Sequence, residues 1–172
     1  MAILLSVPLS KQAVADLRAG DAVTLSGPIL VLNLQAVATD AAVDAWLSTG
    51  RGADEGWVCC IATAPVVLGS RAWTVARIDE PDADRVACAL LAAGSRGLVC
   101  RGRCLATTSY ALRKYGGVCF RAPENWLEGC NFRAATEASG IDGRVFSAHV
   151  VTQGDGLVVA HDAQGRQVVA DA

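Results

Sequence analysis

Charge is scarce in this chain, and none of it is concentrated. Charged residues make up 19% of the 172, the formal net charge is −2, and there is no basic run. A nucleic-acid surface or an anionic membrane surface needs a cationic patch, so neither is expected as a partner. The opening Met1-Ala-Ile-Leu-Leu-Ser6 lacks a positive flank and a usable apolar length, so it does not read as a secretory signal. A Walker-type phosphate loop and a dinucleotide glycine fingerprint are both missing. Residues 22–39 carry no formal charge over 18 positions, the length of a membrane span, but Ser26-Gly27-Pro28, Asn33 and Gln35 interrupt them. Two buried strands about a turn fit that composition better. Only two histidines occur. His149 sits in an apolar strand and reads as structural, and His161 precedes a turn with no nucleophile nearby, which leaves a catalytic triad with little support.

What the chain has in quantity is apolar surface: 52% of residues are hydrophobic and the mean hydropathy is +0.35. A sheet buried on both faces accounts for this, and so does apolar surface covered by a partner chain or a second copy in a homo-oligomer. The length suits a single domain over residues 1–172 with a real core. The seven cysteines are Cys59, Cys60, Cys88, Cys100, Cys104, Cys119 and Cys130. Their odd number and apolar settings predict reduced core thiols and a cytoplasmic protein. Cys100 and Cys104 lack a second pair or a neighbouring histidine. Vicinal Cys59 and Cys60 on a strand point to opposite faces, so no metal is expected on this chain.

Ser10 is a plausible N-cap for a short helix through Leu17, ended by Gly20. Residues 22–25 and 29–32 read as strands about a turn at Ser26-Gly27-Pro28, 41–47 as a helix, 48–56 as a polar loop, and 57–62 as a buried strand. Ala83, Val86, Ala87, Leu90 and Leu91 form a helical stripe, with Asp82 and Asp84 in its first turn and Gly94 as its stop. A strand over 98–100, a helix over 107–115 closed by Gly116-Gly117, and a strand over 118–120 make a βαβ unit, expected to pair in parallel with a right-handed crossover. Residues 157–160 and 167–170 flank Asp162-Ala-Gln-Gly165 as a hairpin. The class is α/β: a single domain with a mixed sheet and flanking helices.

Arg101 ends the 98–100 strand and precedes a polar loop and a helix. In open α/β sheets, ligands bind outside the carboxyl ends of strands, and a guanidinium offers a bidentate fork to a carboxylate. Three segments, in order, resemble the β subunit or C-terminal domain of iron–sulfur class I fumarases and L(+)-tartrate dehydratases. They are residues 8–27, residues 90–120 with Gly97-Leu-Val-Cys-Arg-Gly-Arg103 at their centre, and Gly156-Leu-Val-Val-Ala-His-Asp-Ala-Gln-Gly165. The resemblance implies a swivelling β/β/α fold. It also implies a hydro-lyase component that works with an α-type subunit, whose four-iron four-sulfur cluster acts as a Lewis acid, on a hydroxy- or unsaturated dicarboxylate. On that likeness Arg101 occupies a lysine slot of the family's Gly-Lys-Gly loop. Thr74-Val-Ala-Arg-Ile-Asp79 is similar to the family's Thr-Ser-Gly-Arg-Met-Asp, which assigns Arg77 to a carboxylate and Thr74 to a polar contact. Arg71 is the alternative to Arg77.

The chain also departs from the family pattern. Trp73 stands where the family has its base threonine, and Asn33, Leu34 and Val37 stand where an Arg-Asp and a histidine are expected. Arg121-Ala-Pro-Glu-Asn-Trp126 replaces a loop of small residues. Trp73 and Trp126 also suit partly buried core or interface positions, and Arg77 with Asp79 suits a plain surface ion pair. A catalytically diverged, non-enzymatic assembly or anion-binding subunit is the alternative function. In either case the chain alone is expected to be inactive.

Overall fold

A twelve-residue strand in the first quarter of the chain organises the molecule. In the computed structural model, which describes residues 2–34, 56–63, 74–129, 131–133, 145–150 and 156–168, this strand is β2 (Ala22–Asn33). The other described strands are β1 (Ile3–Ser6), β3 (Val58–Thr63), β4 (Thr74–Val75), β5 (Gly97–Cys100), β6 (Val118–Arg121), β7 (Asn131–Arg133), β8 (Val145–Val150) and β9 (Leu157–His161). The described helices are α1 (Lys11–Asp16), α2 (Pro81–Ala92) and α3 (Ala106–Tyr115), with a short 3₁₀ turn at Trp126–Gly129. All the strands join one mixed sheet in the order β4-β3-β5-β6-β9-β2-β8-β7, with β1 beside β2.

β2 changes partners along its length. Its first half runs parallel to β1 and touches β9 antiparallel at Ala22 and Val23, and its second half lies between β3, parallel, and β8, antiparallel. The pairings β2–β3, β3–β5, β5–β6, β6–β9 and β9–β2 therefore return to their starting point and form a closed circuit. Strand alternation then sorts side chains inside and outside it. Val23, Leu25, Val58, Cys60, Val99, Val118, Phe120 and Val159 join one buried cluster, together with Val14 and Leu17 from α1 and its C-terminal end. Cys59, Ile61, Leu98, Cys100 and Cys119 join the other cluster, against α2 and α3. Cys59 and Cys60 face opposite ways, as their adjacency on a strand requires. β3, β5 and β6 are buried on both faces, which explains much of the chain's apolar content.

Local chemistry agrees with these elements at most points. Ser10 caps α1, its side chain accepting the Ala13 N–H at 3.0 Å. α2 buries Ala83, Val86, Ala87, Leu90 and Leu91, the stripe read from spacing. Gly116 ends α3 in the left-handed conformation, and β5 and β6 on either side of α3 are parallel. The last hairpin is formed through the His161–Gln167 bridge.

Ser26-Gly27-Pro28 is not a turn. Gly27 has φ +118, and a Cβ there would stand 2.8 Å from the Val7 carbonyl oxygen. The triplet bends one continuous strand where it leaves β1 and meets β8, and long-range pairing overrides the local turn signal. The helix expected over 41–47, most of the loop over 48–56, and Val37, Arg71, Trp73 and Cys130 lie outside the described residues. No helix among the described residues is long and apolar enough to cross a membrane.

Gly27→Ala introduces both a disfavoured φ and a clash with backbone. It is expected to lower stability by about 1–3 kcal/mol, read as a lower urea midpoint with an unchanged slope.

Candidate functional site

The carboxyl ends of β5 and β6 lie side by side at one rim of the circuit. Arg101 continues from β5, and there the segment after β4 crosses it. The Arg101 N–H donates to the Ala76 carbonyl at 2.9 Å, and the Ile78 N–H donates to the Arg101 carbonyl at 2.8 Å. These two bonds make an isolated parallel bridge that pairs Arg77 with Arg101. Bridged residues project to the same side of a sheet. Val75 and Val99, two positions earlier on each segment, belong to the inner cluster, so both arginines start from the inner side of the rim.

The two cations are held differently. Arg77 donates from Nε and Nη2 to the two carboxylate oxygens of Asp79, at 3.1 and 2.8 Å, a bidentate fork. Both side chains are partly open to solvent, at 39% and 29%. The hydrogen bonds from Arg77 hold the Asp79 carboxyl below its ordinary range, and the nearby Arg101 charge adds to this. Arg101 is half-buried. It donates Nε to the Val75 carbonyl at 2.6 Å, and its two Nη nitrogens have no hydrogen-bond partner among the described residues. Gly102, at φ +78, lets the chain pass close over the pair. A Cβ there would lie 3.1 Å from Asp79 Oδ1 and 3.4 Å from Arg77 Nη2.

The structure thus brings Arg77 and Arg101 together and adds Asp79 between them, a carboxylate already seated on one fork. Thr74 is not on this face. It alternates with inward-facing Val75, and its hydroxyl is hydrogen-bonded to that of Thr63 on β3. Arg71 lies outside the described residues. Asn33 ends β2 half-buried, and Leu34 is buried at 5% exposure and apolar, so it offers no grip for an anion. Arg121, at the end of β6, was not singled out as a binding residue. The sequence signal for it was a cation closing the strand next to Arg101.

Behind the rim, on the outer side, Cys100 and Cys119 bring their sulfurs to 2.8 Å, and Cys104 hydrogen-bonds to Cys119. The hydrogen bond to Cys119, then burial, pushes the Cys104 thiol far up. The Cys119 thiol is raised by its contact with Cys100 and by burial. Protonated thiols in an apolar layer are poor ligands and poor nucleophiles. No group of three or more His, Cys, Asp or Glu side chains among the described residues is arranged to hold a metal ion. No protein-family model matches this chain, and no curated protein matches it.

Chemically, the rim offers a guanidinium whose Nη donors have no partner among the described residues, near a second guanidinium paired with Asp79. Asp79 has a folded pKa below its unfolded value. The Arg77–Asp79 pair therefore contributes fully at pH values above about 4, the unfolded carboxyl range, and its contribution is lost as the pH falls through the lower folded value. Arg77→Ala removes the main cause, so the Asp79 carboxyl followed by ¹³C NMR is expected to titrate at higher pH. An unmoved titration would show that Arg77 does not set it.

Proposed function

We propose that this chain is the β-type component of an iron–sulfur hydro-lyase. In this reading it adopts a swivelling β/β/α fold and, with an α-type subunit, binds a hydroxy- or unsaturated dicarboxylate of the fumarate, malate or tartrate kind. The observation that carries the proposal is the Arg77–Arg101 bridge: two arginines pair through their backbones at the carboxyl end of a central strand, and the Nη donors of Arg101 have no partner among the described residues. The resemblance of three ordered segments supports the same reading, and the buried, protonated thiols accord with a cytoplasmic setting.

The division of labour follows from the residues. Arg101 receives a substrate carboxylate on its free fork. Arg77, fixed by Asp79, supplies a second positive field at the same point and keeps its geometry without reorganising. Among the described residues near the pair, the Thr74 hydroxyl is turned to Thr63 and the Asp79 carboxylate is engaged by Arg77. The base would therefore come from the partner. The cluster, when held by the α-type subunit, supplies Lewis acidity toward the substrate hydroxyl. The six described cysteines do not fit as its ligands: Cys59, Cys60, Cys100 and Cys119 are buried within the sheet, and the half-buried Cys88 and Cys104 are too few. Ile3 and Leu4 on β1, 40% and 60% exposed, are apolar surface that the partner or a second copy would cover.

A second reading, a non-enzymatic anion-binding or assembly subunit of the same fold, is favoured by one observation: Asp79 already occupies the Arg77 fork, which leaves one open fork rather than two.

Co-expression with an α-type iron–sulfur subunit is expected to give fumarate hydration or malate or tartrate dehydration that neither chain shows alone. Arg101→Ala should lower that activity by about a hundredfold. A stable complex that turns over no dicarboxylate would favour the second reading.

A further inference from the structure

Among the described arginines, Arg121 is the one with a buried donor and nothing to give it to. Its Nε is buried and has no hydrogen-bond partner, and no carboxylate of a described residue pairs with the guanidinium. The contrast with other arginines is direct. Arg77 holds Asp79, Arg85 holds Asp82, Arg166 holds Asp162, and Arg96 donates to the Leu9 carbonyl. Five N–H donors need acceptors, and a buried one left unmade is costly. Such a donor calls for an acceptor beyond the described side chains: a water, an ion or a ligand.

The position of Arg121 identifies that ligand. β5 and β6 pair with Cys100 opposite Arg121, and the Ala122 N–H donates to the Cys100 carbonyl at 3.0 Å. Arg101 is one residue beyond Cys100, so the two arginines leave from adjoining strand ends, about 4.8 Å apart across the sheet. Alternation sends them to different sides. Phe120 and Ala122 face the inner cluster and Cys119 the outer one, so Arg121 starts outward, where it lies in the field of Cys104 and Cys119. Arg101 starts inward, beside Asp79. A ligand lying across the strand ends would meet one guanidinium at each end. The fork of Arg77 is taken by an internal carboxylate, and Arg121, unlike the exposed Arg103, has a buried Nε without a partner among the described residues.

We propose that Arg121 is a second anion-binding residue of this site, and that the site takes a short dianion with one group on Arg101 and the other on Arg121. The inference rests on the reading that Arg101 binds a carboxylate, and it names the residue that receives the second one.

The test titrates the full ¹⁵N-labelled chain with succinate, a short dianion, and with acetate, its one-ended counterpart, by calorimetry and by arginine Nε–H NMR. Arg121→Lys identifies the Arg121 signal by its loss. The expected result is that succinate binds more tightly than acetate and shifts the Arg121 Nε–H resonance, whereas acetate does not shift it. Arg121→Met should weaken succinate about tenfold or more and leave acetate within about twofold, and Arg101→Met should weaken both. Because the resonance is read in the unsubstituted chain, the test stands even where a variant fails to fold. Succinate binding that needs Arg101 but neither shifts the Arg121 signal nor responds to Arg121→Met would overturn this inference and leave the function reading intact. Absence of any succinate binding to the unsubstituted chain, or binding indifferent to both arginines, would overturn both.

Discussion

The closed hydrogen-bond circuit through β2 is the constraint on which the rest depends. One twelve-residue strand serves β1 and β9 with its first half and β3 and β8 with its second. Without that change of partners the strands would form an open sheet with two large apolar faces and long edges. With it, the inner cluster is enclosed by the strands themselves, and only the outer face needs covering, which α2 and α3 do. Closure also gathers strand ends into two rims. The carboxyl ends of β5 and β6 become neighbours of the segment after β4, and Arg77, Arg101 and Arg121 come from three separate stretches to one edge.

At that edge the balance between binding and self-satisfaction is set by Asp79. A carboxylate two residues from Arg77 is at high effective concentration, so the fork of Arg77 is filled before any ligand arrives. The effect is to convert Arg77 from a ligand-binding cation into a fixed source of field, and to pass the direct contacts to Arg101. Asp79 also cancels part of the local charge. That reduces the mutual repulsion that three uncompensated guanidinium groups would impose. The hydro-lyase and anion-binding readings share this arrangement and differ only in what the partner chain contributes.

Much of the local structure could be read from residue order. The Ala83-to-Leu91 stripe gave α2 its buried face. Gly116 stopped α3, and the short apolar runs at 98–100 and 118–120 became parallel strands. These signals are legible because they depend on neighbours within a few positions. Gly27-Pro28 was misleading for the same reason. As a local sequence it says turn, and only the long-range pairings of β2 and the approach of Val7 make it a bend in a strand. The site was half legible. Arg101 at a strand end and the Arg-x-Asp spacing of Arg77 and Asp79 can be seen in the chain, but the bridge between Arg77 and Arg101 joins residues 24 apart through bonds made by Ala76 and Ile78. Nothing short of the fold shows that the Arg121 donor is buried without an acceptor.

The two rims of the circuit argue for where function lies. At the rim opposite Arg101, the charged groups Asp162 and Arg96 are tied into the fold, although the buried His161 Nε2 has no hydrogen-bond partner among the described residues. Asp162, fully buried, accepts from the Ala19, Gln164 and Arg166 N–H groups and from Arg166 Nε at 2.7 Å. Burial alone would raise its pKa, and these donors outweigh that and hold it down. Arg96 at the same end gives its proton to the Leu9 carbonyl, tying the segment before α1 to the start of β5. At the Arg101 rim two arginines are incomplete among the described residues: one with open Nη donors, and one with a buried Nε and no partner. In the anion-binding reading, the two arginines at the carboxyl ends of β5 and β6 are the donors an anion would complete, whereas the orphan at the opposite rim is a single imidazole nitrogen.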